Sequence, residues 1–540
     1  MGSRILNEFY MTLNIKEKLA ALIRGTVEDS SARLAQYGND ASIFEIIPKL
    51  VITPEDTADL KTIINFVREH KSADKTLSLT PRAAGTGMSG ESLNDSIIVD
   101  MKKFNHIQEV GNDYAITEPC VYYRDFEIEV AKNELFLPSY TASKKLCTVG
   151  GMVSNNSAGE KTLSCGQTAR YVKELSALLA DGNEYVFKPL NKEELTAKIN
   201  QGGFESEIHQ RIYAILEKNY DFIQSKKPRV NKNAAGYELW NVWNRDMFDL
   251  TQLFAGSQGT LGIITKIKFQ LVRPKPYASL LVIFLKDIIH LGDIVNTVLP
   301  CNPESFESYD DHTLKLAEEF LPEVTKFFDA SIKPKIVLLA EFTGDSEEEA
   351  VEKTRCAEKH IPIGKAITTM ITCDPKNVDH YCTVRRESFN LLRYHSGHER
   401  TAPIIEDIIV RPEFLPEFLP KLYKILDSYN LVYTIAGHIG DGNLHIMPLM
   451  DFREAKIRMI AIELCKKVFD LVFEYGGSMS AEHNDGIIRT PFLEHMYGNE
   501  MIKLFEEVKL IFDPSNIFNP GKKVFGRDLA FVKEHIDRVY

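Results

Sequence analysis

Eight cysteines are scattered through 540 residues, and no two of them stand as Cys-x-x-Cys. This excludes a ferredoxin-type cluster run and a zinc ribbon, and isolated thiols in a long chain fit a reducing compartment. Positive charge is also scarce. Lys and Arg number 64 against 76 Asp and Glu, a net charge of −12. Non-specific nucleic-acid binding needs a basic face that neutralises phosphates, so that class is set aside. A local basic pocket for an anionic substrate is not. Long apolar runs are missing: the longest, around Leu280–Leu285, falls far short of the roughly 20 residues that span a bilayer. No basic stretch followed by an apolar one opens the chain, so no secretory signal is expected. The expectation is a cytoplasmic protein with no transmembrane segment, with peripheral contact at the inner membrane face and oligomerisation left open.

What remains is an ordinary globular composition, 44% apolar and 26% charged, with room for about two to four domains. Residues 1–45 read as helical, with Ile15, Leu19, Leu22 and Ile23 on one face. Leu50–Pro54 reads as a strand and its stop, Thr57–His70 as an amphipathic helix, and Leu77–Thr80 and Ser96–Asp100 as strands. Leu175–Ala180 and Tyr185–Lys188 form a hairpin across Asp181-Gly182-Asn183. Gly262–Val272 alternates like a half-buried antiparallel strand. Arg273-Pro274-Lys275-Pro276 breaks the pattern and sets the main boundary. Beyond it, strands Ile336–Phe342, Leu431–Ala436 and Asn443–Leu449 precede a helix over Phe452–Tyr475. The whole predicts an α+β protein with largely antiparallel strands, divided as 1–45, 46–275 and 276–540.

Pro81-Arg82-Ala83-Ala84-Gly85-Thr86-Gly87-Met88-Ser89-Gly90 follows a strand and holds three glycines and two hydroxyls. Small residues let backbone N–H groups converge on a diphosphate. The glycine spacing matches a dinucleotide fingerprint in form. A strand follows, however, where a Rossmann fold needs a long helix, which excludes that fold. A second run of small and amide residues spans Thr148–Gly159, and a third opens the alternating strand at Gly256-Ser257-Gln258-Gly259-Thr260-Leu261-Gly262-Ile263-Ile264. Each alone could be a turn in a β-rich domain; together they could wrap a long, phosphate-bearing cofactor.

A second region is Gly437-His438-Ile439-Gly440-Asp441-Gly442-Asn443-Leu444-His445, followed by Ser480-Ala481-Glu482-His483-Asn484-Asp485-Gly486. Glycines allow a tight connection that returns His438 and His445 toward one point. Two histidines and a carboxylate with open positions make a catalytic metal arrangement, for zinc or another first-row ion. Satisfied core histidines and a common Asp-Gly turn are the plainer alternative. Val384-Arg385-Arg386-Glu387-Ser388 reads, on its own, as a solvated helix face.

The glycine segments resemble the FAD domain of the vanillyl-alcohol-oxidase type, shared by FAD-linked 2-hydroxy-acid dehydrogenases. That family reads close to P-R-G-G-G-T-G-x-S-G, then T-x-G-G-x-x-x-x-N-x-x-G, then G-S-E-G-T-L-G-I-I. The match covers residues 48–275, departing at Ala83, Ala84 and Gln258. The resemblance implies a PCMH-type FAD-binding domain followed by an FAD-linked oxidase C-terminal domain of antiparallel sheet and helices. It implies cofactor contacts from Pro81, Arg82, Ala83, Ala84, Gly85, Thr86, Gly87, Pro138, Ser139, Thr148, Gly150, Gly151, Ser154, Asn155, Gly159, Gln258, Gly262, Ile264, Asn443 and Asn519. Relatives that attach flavin covalently near this loop use a histidine about where Thr86 stands, so non-covalent FAD is implied.

The histidine motifs resemble the D-lactate, glycolate and D-2-hydroxyglutarate dehydrogenase branch. Ser480–Arg489 with Pro491-Phe492-Leu493 looks like the flavoprotein part of enzymes fused to an iron–sulfur domain. Carried over by motif, His438, His445 and Glu482 would ligate a divalent metal, expected to be zinc. His483 would act as base, and Arg386 would clamp the substrate carboxylate as a guanidinium fork. The implied reaction oxidises a D-2-hydroxy acid to its 2-oxo acid, with hydride passing to flavin N5. D-lactate is favoured over glycolate or D-2-hydroxyglutarate, because polar groups for a distal carboxylate are missing. Electrons would leave to a quinone, an electron-transfer flavoprotein, an iron–sulfur partner or oxygen. Competing classes are a non-redox enzyme of the alkyl-dihydroxyacetone-phosphate synthase type, an electron-relay subunit and an alditol oxidase.

Overall fold

The structure is a computed structural model that describes residues 15–326, 333–395 and 399–537. Three sheets organise it. In the first, Leu50–Thr53, Ile97–Asp100 and Leu79–Arg82 run parallel, and Thr26–Glu28 joins the edge antiparallel. Every residue of Leu50–Thr53 and Ile97–Asp100 is buried, which explains their unbroken apolar character. The helix Thr57–His70 forms where its spacing predicts. Asp56 caps it by accepting from the N–H groups of Ala58 and Asp59, and Leu60, Ile63, Ile64 and Val67 face inward. This parallel pairing is the exception in a protein whose strands are, as expected, largely antiparallel. A helical crossover returns the chain in the same direction, which a hairpin cannot do.

The N-terminal expectation is corrected in part. A helix covers residues 15–22, but Thr26–Glu28 is a strand and Ser31–Tyr37 a second helix. Leu19 and Ile23 are buried while Leu22 is 57% exposed, so the apolar face is narrower than the spacing suggests. Gly25 permits the strand, since a Cβ there would lie 2.1 Å from the Thr53 carbonyl oxygen. Residues 1–14 lie outside the described residues.

The second sheet is antiparallel, ordered Ile107–Val110, Tyr114–Thr117, Ile263–Gln270, Val172–Leu178, Glu184–Phe187. Its last two strands are the expected hairpin, with Gly182 at φ +82° in the turn. The third sheet runs Ile367–Thr372, Tyr277–Leu285, Ile336–Gly344, Ser305–Asp310, Tyr433–Gly437, Asn443–Met450, Arg400–Thr401, and Ile408–Ile409 also pairs with Asn443–Met450. Along Tyr277–Leu285, Leu280, Val282 and Phe284 pack with Tyr381, Val384 and Leu391 of the helix Pro375–His395. The intervening Leu281, Ile283 and Leu285 join the main core with Leu291, Ile294 and Val295 of the helix Leu291–Val298. This strand is therefore covered on both sides. Among the described residues no helix is long and apolar enough to cross a membrane.

Candidate active site

His438 leaves the end of Tyr433–Gly437, and His445 sits two residues into the return strand Asn443–Met450. The connection is a 3-10 turn, Ile439–Asp441, closed by Gly442 at φ +74°. A Cβ at Gly442 would strike the Val410 carbonyl oxygen at 1.8 Å, so the turn packs backbone on backbone. The two imidazoles end 5.1 Å apart and nearly perpendicular. Glu482 arrives on the loop after the helix Ala455–Glu474. Asp407 shapes that loop: its Oδ2 accepts from Ser480 Oγ at 2.7 Å, Glu482 N at 2.9 Å and His483 N at 2.7 Å. Glu482 Oε1 then lies 3.3 Å from His438 Nε2, 3.4 Å from His445 Nε2 and 3.6 Å from His483 Nε2.

The hydrogen bonds behind the rings fix what these atoms offer. His445 Nδ1 lies 2.7 Å from the Glu406 carbonyl oxygen, which can only accept. The proton belongs on Nδ1, and burial keeps this histidine below its usual pKa, so the Nε2 lone pair faces Glu482. His438 Nδ1 donates to Glu307 Oε1 at 2.6 Å and turns its Nε2 the same way. Burial opposes protonation of His438, but Glu307 outweighs it and raises the pKa. Burial disfavours the Glu482 anion too, yet the Lys232 ammonium and His438 hold its pKa well below the usual value. Acceptors aimed at one point repel unless a cation or proton lies between them. Two imidazole nitrogens and a carboxylate oxygen, with outer-shell partners fixing the tautomers, fit a first-row divalent ion. Asp407, His445, Glu482 and His483 also cluster within 4.8 Å, but Asp407 Oδ2 already accepts three hydrogen bonds.

His483 stacks on His445 at 5.3 Å, and its Nδ1 is 3.1 Å from Glu406 Oε1. Glu406 is itself paired with the fully buried Arg489, Nη2 to Oε1 at 2.5 Å. Burial alone would lower the His483 pKa, but Asp407, Glu406 and Glu482 push it up to about 9.

The three glycine segments converge on this same loop. Ser89 Oγ donates to the His483 carbonyl at 3.0 Å, and Ile487 N donates to the Ser89 carbonyl at 2.7 Å. Gln258 Oε1 accepts from Gly486 N at 2.9 Å, while its Nε2 donates to Asn155 Oδ1 at 3.3 Å. Asn155 Nδ2 in turn reaches Glu91 Oε1 at 3.2 Å. A Cβ on Gly87 would meet that Glu91 carboxylate at 1.3 Å, so the missing side chain at Gly87 makes room for Glu91 against the loop. A cavity of about 690 Å³ opens beside Ala83, Lys102, Cys120, Val121 and Tyr122. Of the glycine loop only Ala83 lines it, and none of His438, His445 and His483 does.

Several expected contact residues have internal partners. Arg82 donates to the carbonyls of Tyr37 at 3.1 Å and Asn39 at 2.7 Å. Gly150 packs on Pro119, Gly159 on the Tyr140 carbonyl and Gly262 on the Leu178 carbonyl. Thr148 caps the helix Val149–Asn155, Ser154 accepts from Gln258 N through its carbonyl, and buried Ser139 accepts from Thr168 Oγ1. Ile264 pairs with Ala177 in the second sheet. Asn443 Nδ2 donates to Asp407 Oδ1 and the Ile408 carbonyl. Asn519 ties loops together: Nδ2 donates to the carbonyls of Glu91 and Gln258, and Oδ1 accepts from Thr80 Oγ1. Arg386 lies on the helix Pro375–His395, and its fork is taken by Glu160.

Two family models match this chain. One, described as FAD binding domain, covers residues 48–187; the other, FAD linked oxidases, C-terminal domain, covers 275–523. The chain belongs to the FAD-linked oxidase family. A D-2-hydroxyglutarate dehydrogenase of Pseudomonas putida is 26% identical over 524 residues, covering 94% of this chain and 52% of that protein. The chain thus spans about half the length of that relative. A D-lactate dehydrogenase of Archaeoglobus fulgidus is 26% identical over 484 residues, covering 88% and 91%. Substrate-bound p-cresol methylhydroxylase shares the fold, with a TM-score of 0.68 at 15% identity over 97% of this chain and 98% of that one.

Family motifs alone do not single out everything that shapes this FAD-linked oxidase site. Lys232 is fully buried, its Nζ 3.0 Å from Glu482 Oε2 and 3.7 Å from Asp441 Oδ2. It rides on a run of small residues, Asn233-Ala234-Ala235-Gly236, zipped to the loop that carries Glu482 and His483 by Ala234 N to the Ser480 carbonyl at 3.0 Å. That run has the same character as the three glycine segments and could have been flagged with them. Glu406 and Asp407 interrupt the apolar stretch Ile404–Val410, a buried-charge signal readable in sequence. Glu307, hidden in an ordinary strand, carried none.

Proposed function

We propose that this FAD-linked oxidase oxidises a small D-2-hydroxy acid to the 2-oxo acid and passes the electrons to an external acceptor. The convergence of His438, His445, Glu482 and His483 at one point, joined through Ser89 to the glycine-rich loop, carries this reading. FAD, when bound, supplies the acceptor for the C2 hydride, and a divalent cation on His438, His445 and Glu482 supplies Lewis acidity toward the C2 hydroxyl. Zinc suits those donors. We assign His483 the base: a cation on that trio would lower its raised pKa and leave Nε2 free to take the hydroxyl proton, while Nδ1 donates to Glu406. Arg386 is assigned the fork for the substrate carboxylate on the family resemblance. Thr86, in place of a linking histidine, supports non-covalent flavin.

D-lactate is the favoured substrate. D-2-hydroxyglutarate is the second reading, supported by the name of the P. putida relative. The division at 46–275 and 276–540 places cofactor loops in one part and the histidine pair in the other. The test is dye reduction by the flavin-loaded protein across a panel of D- and L-2-hydroxy acids. D-lactate should reduce the dye fastest and L-lactate should not; equal rates with both enantiomers, or no rate with any acid, would defeat the proposal.

A further inference from the structure

Arg386 holds a carboxylate already. Its Nε donates to Glu160 Oε2 at 3.1 Å and its Nη2 to Glu160 Oε1 at 2.7 Å, the two-pronged geometry by which a guanidinium grips a carboxylate ligand. Glu160 follows directly on the second glycine segment, whereas Arg386 belongs to a helix of the C-terminal half. Tyr140 Oη steadies the carboxylate with a hydrogen bond of 2.5 Å to Oε1. The next residue, Lys161, bonds Glu341 and lies 3.5 Å from Glu304, both in the third sheet's neighbourhood. Residues 160–161 therefore strap the cofactor segment to the helix and sheet opposite.

The surroundings of the two arginines differ. Arg385 is buried and its Nε lies 3.0 Å from Glu307 Oε2, so it backs the carboxylate that orients His438. Arg386, one residue on, keeps 37% of its side chain exposed, which leaves a path for a ligand. Burial opposes the Glu160 anion, but Arg386 brings its pKa down to about 2, so the internal carboxylate stays charged at any working pH.

We propose that Glu160 is an internal stand-in for the substrate carboxylate, occupying the Arg386 fork until a 2-hydroxy acid displaces it. The inference rests on the reading of Arg386 as the substrate clamp. Exchanging one carboxylate for another preserves the charge on the fork. A neutral alcohol or polyol has no group that can compete, so Glu160 selects for acids as well as setting their apparent affinity. After displacement Glu160 keeps its Tyr140 partner.

The test compares flavin-loaded parent, Glu160→Gln, Glu160→Asp and Arg386→Gln. Oxalate binding by calorimetry gives affinity without turnover, and dye reduction with D-lactate separates KM from kcat. Glu160→Gln should bind oxalate about fivefold more tightly and lower KM by the same factor, with kcat within about twofold, the upper range for a pair partly open to solvent. Glu160→Asp, which keeps the charge on a shorter arm, should fall between the parent and Glu160→Gln, and Arg386→Gln should weaken oxalate binding and raise KM. Unchanged or weaker oxalate binding in Glu160→Gln, with Arg386→Gln impaired, would reduce the pair to a structural clasp and overturn the proposal. Unimpaired Arg386→Gln would overturn the clamp and this inference together. Absence of turnover in the parent would strike the redox reading, while oxalate binding would still decide the role of Glu160.

Discussion

Replacing Lys232 by Met removes a cation from a place with no solvent at all. Its Nζ serves Glu482 Oε2 at 3.0 Å and Asp441 Oδ2 at 3.7 Å, and Asp441 Oδ2 is buried with no hydrogen bond of its own. Breaking a buried pair on one side costs about 3–5 kcal/mol, because the remaining charge is stranded. His438 still faces Glu482, so about 3 kcal/mol is expected. A divalent ion bound at a thousand times its Kd returns about 4 kcal/mol by linkage. Zinc should therefore offset the loss relative to the metal-free parent, and the variant, without the competing Lys232 ammonium on Glu482, should gain more from it than the parent does. The assay is convenient, since both tryptophans, Trp240 and Trp243, lie on the segment just beyond Lys232 and are buried. Urea unfolding followed by their fluorescence, with chelator and then with zinc, reads the same part of the molecule. The midpoint should fall sharply in chelator and recover with metal, and adding Glu482→Gln to the variant should erase most of the loss. A Lys232→Met protein as stable as the parent in chelator, or one that gains no more from zinc than the parent does, would refute the reasoning.

Other consequences are as direct. His483→Ala should lower kcat by about 10²–10⁴, the usual contribution of a positioned base, with flavin content unchanged; normal turnover would remove His483 from the chemistry. Gln258→Glu puts a second carboxylate beside Asn155, which already faces Glu91, and forfeits the amide's donor; flavin retained through gel filtration should fall severalfold, and full retention would contradict the relay drawn here. The Glu160–Arg386 pair adds stability above the ordinary glutamate pKa of 4.5, and this is lost as pH falls toward 2. Urea midpoints at pH 6 and pH 3.5 should therefore differ less in Glu160→Gln than in the parent, and equal acid losses would count against the pair.

How much was legible depended on whether the signal was local. Thr57–His70 follows from its own capping and apolar spacing, and the structure forms it over the same residues. Asn443–Met450 and the turn before it follow from alternation and glycines. The parallel pairing of Leu50–Thr53, Ile97–Asp100 and Leu79–Arg82 did not, since nothing within a buried strand records its neighbour's direction. The roles of the metal-site candidates came through motif resemblance, and the distances around Glu482 Oε1 bring them together. Lys232 and Glu307 were invisible for another reason. Each acts through one long-range contact, and a single lysine or glutamate in an unremarkable segment carries no trace of it. Arg386 is named by its motif, but its partner Glu160 lies 226 positions earlier in the chain.

Asn519 bonds Thr80 across a separation of 439 residues, and Lys523 reaches the carbonyls of Ala234 and Gly236. A growing polypeptide will have made both glycine-rich loops long before the clasp that fixes their spacing leaves the ribosome. Until then the loops at Glu91 and Gln258 lack the hydrogen bonds by which Asn519 ties one to the other.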